Sequence, residues 1–162
     1  MIYRRDELAA TLGPEGYIYA IGGYGSSGGV ASESLNSVER FNFDKGVWEL
    51  IGSMNERRRA LAAVSLPNGV YALGGFGGSY LKSVERFDAE LNKWILVQDM
   101  NHSRCTHTAV TSSDCRFIYS IGGFDTAAID SVERYDVIHN TWDILPSLKS
   151  KRFMHASVLI RE

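Results

Sequence analysis

The chain repeats itself three times, and that repetition constrains its fold more than any other feature. The phrase "YIYAIGG" at residues 17–23 returns as "GVYALGG" at 69–75 and as "FIYSIGG" at 117–123, which sets glycine pairs at Gly22/Gly23, Gly74/Gly75 and Gly122/Gly123. After each pair "SVERF", "SVERF" and "SVERY" follow in register and carry Glu39/Arg40, Glu85/Arg86 and Glu133/Arg134. A lone tryptophan comes next, at 48, 94 and 142, and ten residues after it Arg58, Arg104 or Arg152 opens a further apolar run. The period is 46 to 48 residues, apart from "GSSGGVAS", which lengthens the first copy's loop by six.

Each unit reads as four short strands, here a to d, because its apolar runs span four to eight residues, are rich in Val, Ile and aromatics, and end at turn residues. In the second copy these are "LAAVSL", "VYALGG", "KSVERF" and "KWILVQ". Asn68-Gly69 between a and b is a hairpin signal, since both residues tolerate positive φ. Gly46, Asn92 and Asn140 share one repeat position, two before the tryptophan, which predicts a left-handed residue in each c–d turn. The fold class expected is all-β.

Composition narrows the function classes. With 44% hydrophobic and 22% charged residues and a formal net charge of −2, the 162 residues have the make-up of an ordinary soluble domain. The charge balance argues against wholesale nucleic-acid binding. No apolar run approaches the ~20 residues of a membrane span, and "IYRRDELAATLG" has no signal-peptide core, so a cytoplasmic protein is expected.

The glycine pair, the "VER" followed by Phe or Tyr, and the late tryptophan recur in order over nearly the whole chain, and in this the sequence resembles the Kelch repeat. That resemblance implies β-propeller blades. Residues 1–162 are then one partial propeller, with four-stranded antiparallel blades at about 4–52, 58–98 and 104–146 and the first strand of a further blade at 152–160. Propellers usually close with four to eight blades, so three make half of an expected six-bladed ring. Bare end blades would expose apolar sheet faces. Either the chain is an excerpt of a longer propeller or two copies form a homodimer that completes the ring. The C-terminal strand matches the strand-a pattern better than "ELAATLG" does and is expected to take the innermost place of the first blade, with "ELAATLG" displaced.

In such a blade the b–c and d–a links emerge together on one face. The variable loops lie there, and loops that vary on a repeated scaffold are where binding specificity is placed. That face also collects ten of the 17 cationic residues, so it is expected to be electropositive and to favour an acidic peptide or protein. Arg58, Arg104 and Arg152, like the repeated Glu and Arg of the "VER" phrase, read as scaffold because they recur. The resemblance implies ligand contacts at the residue after each strand-a arginine, here Arg5, Arg59, Cys105 and Phe153, and just past each glycine pair, here Tyr24, Phe76, Phe124 and Asp125. Lys151 joins them as a cation that does not recur.

No catalytic residue, metal or cofactor is expected. The glycine strings Gly23 to Gly28 and Gly25 to Gly29 match a dinucleotide fingerprint and a nucleophile elbow, but both motifs need a helix that the pattern lacks. His107 and His155 share a position that is Leu61 in the second copy, which favours packing over ligation. Cys105 and Cys115 lie too far apart along one hairpin to bond; Arg104 beside Cys105 could lower its thiol pKa, but a small half-buried residue is the favoured reading. The phrase "SVERYD" with "NTW" is especially similar to BTB-Kelch adaptors, which recruit substrates to cullin-type ubiquitin ligases. The resemblance also admits actin binding, or a fragment of a Kelch-fold oxidase.

Overall fold

A computed structural model describes residues 1–26 and 31–160 as strands and turns, with no helix among them. The glycine strings that end at Gly28 and Gly29 lie partly outside these residues. The first repeat contains β1 (Arg4–Asp6), β2 (Ala9–Leu12), β3 (Ile18–Ile21), β4 (Tyr24–Ser26), β5 (Glu33–Ser34), β6 (Val38–Asn42) and β7 (Val47–Ile51). The second has β8 (Ala62–Leu66), β9 (Gly69–Leu73), β10 (Val84–Asp88) and β11 (Lys93–Val97). The third has β12 (Thr108–Thr111), β13 (Phe117–Ile121), β14 (Phe124–Asp125), β15 (Ala127–Ala128), β16 (Val132–Asp136) and β17 (Thr141–Leu145). Three antiparallel four-stranded sheets result, in the orders β2-β3-β6-β7, β8-β9-β10-β11 and β12-β13-β16-β17.

The turn residues behave as their chemistry requires. Gly46, Asn92 and Asn140 have φ of 67°, 48° and 55°, values that glycine and asparagine adopt at least cost. In each sheet the glutamate of the "VER" phrase stands opposite a small residue, Glu39 by Ala20, Glu85 by Ala72 and Glu133 by Ser120. That leaves room for a carboxylate inside the blade.

The core lies between sheets rather than within one. Tyr19 of blade one meets Phe87 of blade two edge-on at 6.0 Å, and Tyr71 of blade two meets Tyr135 of blade three at 6.1 Å. Phe87 and Tyr135 lean in turn on Trp94 and Trp142. Each tryptophan also ties blades together, Trp94 Nε1 donating to the Gly52 carbonyl and Trp142 Nε1 to the Gln98 carbonyl, both at 2.9 Å. The N–H groups of the same two residues donate to Asn92 Oδ1 and Asn140 Oδ1. Near the strand-a entries a backbone file crosses the blades: Ala60 N–H donates to the Glu7 carbonyl, Thr106 to Ala60 and Met154 to Thr106, each donor with φ near 50°.

One expectation is overturned. "ELAATLG" is not displaced, because β2 fills the innermost place of blade one and pairs with β3 from Ala9–Ile21 to Leu12–Ile18. Residues 152–160 instead lie along β12, held by the Met154 bond and a Thr108–Ser157 hydroxyl pair at 2.5 Å. With no second strand of their own beside them, they take no strand pairing.

Candidate ligand-binding face

The loop face is built on buried ion pairs. Arg58 donates to the Gly74 and Ser83 carbonyls, the Ser83 hydroxyl and Glu85, and Arg104 makes the same four bonds to Gly122, Ser131 and Glu133. The two glutamates also accept backbone N–H groups of the incoming d–a link, Asn55 and Glu56 in one case, Asn101 and His102 in the other. Burial by itself would raise the Glu133 carboxyl, but the Asn101 N–H and Arg104 bring it below its ordinary value. These arginines therefore pin the link to the glycine pair and are unavailable to a ligand.

Arg5 belongs to this set, which corrects its assignment as a contact residue. It bonds Gly22, Ser37 and Glu39 as Arg58 bonds Gly74, Ser83 and Glu85, and its side chain is fully buried. The residue after the scaffold arginine in blade one is accordingly Asp6. Asp6 pairs with Tyr24, Arg59 with Phe76 and Cys105 with Phe124, so the two groups of candidates are adjacent backbone partners in a small tier above each blade.

Five of the predicted contacts converge. Arg59, Phe76, Cys105, Phe124 and Phe153 line an open cleft of about 380 Å³ together with Glu7, Tyr80, Thr106 and Met154. Its rings form a continuous file, Phe76 edge-on to Tyr80 at 5.3 Å, Tyr80 tilted against Phe124 at 6.0 Å and Phe124 edge-on to Phe153 at 5.4 Å. The Arg59 guanidinium lies 5.2 Å over Phe76 and 5.0 Å over Tyr24, and it reaches Glu7 at 3.4 Å. Asp125 and Lys151 do not line the cleft; Asp125 accepts the Ser103 hydroxyl at 2.6 Å. Sequence reading missed Tyr80, whose only signal was an aromatic within a variable loop.

Charge on this face is largely matched. Besides the three buried arginines, Arg57 pairs with Glu33, Arg59 with Glu7, and Lys82 with Asp99 at 3.8 Å. Six of the ten cations thus face a carboxylate, and the expected electropositive surface is reduced to a few positions unmatched among the described residues. Cys105 is buried, and burial raises its thiol pKa instead of Arg104 lowering it, because the Arg104 guanidinium beside it in sequence is turned to Glu133. Cys105 and Cys115 are both free thiols. His107 is buried, and burial together with Arg104 holds its pKa well below the ordinary value.

The Kelch motif matches residues 9–55, 57–101 and 103–149. The chain belongs to the Kelch-repeat family. Its fold is similar to the solved structure of YjhT, with a TM-score of 0.76 at 15% identity over 92% of this chain. The Kelch chain spans about half of that structure, 54% of its length. Among curated proteins, none matches the sequence.

Proposed function

We propose that this Kelch chain is a protein-interaction module, without catalysis of its own, and that the aromatic cleft is its anchor site. One observation carries this reading: four rings and a cation converge from two successive repeats and the segment that follows them, on the face where loops vary and the scaffold does not. Partly exposed aromatics around a concave site are the residue types that dominate binding energy at protein interfaces. An incoming apolar side chain would pack against the Tyr80, Phe124 and Phe153 rings of the cleft, and a carboxylate on the same segment would compete with Glu7 for Arg59. The acidic preference then narrows to a single position instead of spreading over the face. Recruitment of the bound protein to a cullin-type ubiquitin ligase is the finer role we propose from the likeness of "SVERYD" and "NTW" to BTB-Kelch adaptors, tested by co-precipitation with cullin from cells.

The binding reading is tested with peptides selected from a displayed random library and titrated by calorimetry. Phe124→Ala should weaken a selected peptide about tenfold or more, as truncation of an interface anchor does. Leu91→Ala, on an exposed c–d hairpin of the opposite face, should leave the affinity unchanged. Equal losses from both variants would move the site away from the cleft.

A further inference from the structure

Two positions change character together between the repeats. The third residue after each scaffold arginine is Leu8, Leu61 and His107 in blades one to three, and the corresponding position of strand b is Ala20, Ala72 and Ser120. Blades one and two thus hold leucine with alanine, and blade three holds histidine with serine. Leucine and histidine are close in size, as are alanine and serine, so the exchange alters hydrogen bonding far more than packing.

The fold brings the two positions together. Ser120 stands opposite Ala109, and His107 precedes Ala109 by two residues, which sets it diagonally across from Ser120 on the inner strands of blade three. Both face blade two. A Cβ added at Gly74 of blade two would lie 3.0 Å from His107 Cε1, and Ser120 stands opposite Glu133, which accepts the Asn101 N–H of the link arriving from blade two.

Both side chains are shut away from solvent, His107 at 5% exposure and Ser120 at 0%. Among the described residues neither ring nitrogen nor the Ser120 hydroxyl has a protein partner. Burial, together with Arg104, keeps the ring neutral, so it has one N–H to give and one lone pair to fill. Unpaired polar groups in a packed interface are destabilising, and the other two blades show that apolar residues serve at both positions, so the polar pair calls for a partner beyond the side chains around it. A metal ion does not suit, since no three ligating side chains gather among the described residues, and Arg58 and Arg104 oppose a positive charge at the ring. What the enclosure between two sheets admits is a small neutral molecule that both donates and accepts. His107 also lines a cavity of about 270 Å³ that shares Glu7, Ala60, Thr106 and Met154 with the aromatic cleft, which gives such a molecule a way in.

We propose that a buried water molecule bridges His107 and Ser120 and makes a polar key between blades two and three. The imidazole holds it by one hydrogen bond and the serine hydroxyl by another, so that removing either side chain strands the other.

A double-mutant cycle in urea tests the coupling. His107→Leu and Ser120→Ala each install the residue that blades one and two carry. The unfolding constant of the double variant should rise about tenfold less than the product of the two single increases, because only the single variants leave a stranded group. Single effects that simply multiply would overturn the pairing. The water is read in the unaltered chain, where NMR cross-relaxation should connect a long-lived water to the His107 ring protons; this measurement needs no variant to fold. A ring without that cross-relaxation, or a crystal structure in which His107 bonds Ser120 directly, would overturn the bridge.

Discussion

Arg104 and Glu133 form a pair with no exposed side-chain surface, held by backbone carbonyls on one side and N–H groups on the other. Removing one charge from such a pair strands the other. Glu133→Gln should cost about 3–5 kcal/mol in a urea titration. Arg134→Ala, one residue on, breaks a half-exposed pair with Asp143 and should cost less than about 1 kcal/mol. His107 gives the fold an acid limit. In the unfolded chain a histidine takes up its proton near pH 6.5, but the buried ring is held neutral well below that, with neither nitrogen bonded to protein among the described residues. As pH falls through 6.5 the unfolded state binds a proton that the folded state refuses, so stability declines until the lower folded pKa is reached. The urea midpoint should therefore drop between about pH 7.5 and 5, and drop less in His107→Leu, because Leu61 already fills that place in blade two. Half-buried His155, also lowered by burial, adds to the drop in the same direction.

At the scale of the element, each blade is a short meander whose stability depends on its turns and on its neighbour. The c–d turn links both. Asn140 adopts φ 55°, accepts the Gln98 N–H at 2.8 Å from the preceding blade, and accepts the Tyr135 hydroxyl at 2.7 Å from its own. Asn140→Ala loses the left-handed preference and two acceptors, at a cost of about 2 kcal/mol, or a fall in Tm of about 4–8 °C for a domain of this size. Asn140→Gly keeps the backbone conformation and should recover part of the loss. A calorimetric scan with equal losses for the two would assign the whole effect to the bonds.

For the whole molecule, the core lies between blades, so the outer faces of blades one and three are unfinished in a way that blade two is not. Both large apolar clusters are shared between adjacent sheets. If two copies close on each other, dilution must destabilise the fold by mass action. The Tm should rise with protein concentration over a roughly hundredfold range, measured by differential scanning fluorimetry. A Tm independent of concentration would show that the chain does not self-associate.

Repetition made the architecture legible before any coordinates. Four strands per unit, the positive-φ turns at Gly46, Asn92 and Asn140, and the scaffold roles of Arg58, Arg104 and the three glutamates follow from pattern and spacing, because hydrophobic period and turn chemistry are local properties that three copies report in parallel. Other features depended on which atoms meet across long stretches of chain. Arg4 and Arg5 both suit the first strand-a position by spacing, and only the bonds to Gly22, Ser37 and Glu39 select Arg5. The loop cations counted as an electropositive face, yet Arg57, Arg59 and Lys82 meet carboxylates 24, 52 and 17 residues away along the chain. Adjacent in sequence, Arg104 and Cys105 point to different surroundings, one into Glu133 and the other into the cleft. Charge pairing and cleft lining are set by contacts between loops far apart in the chain, within and between blades, and these exist only once the sheets have formed and packed.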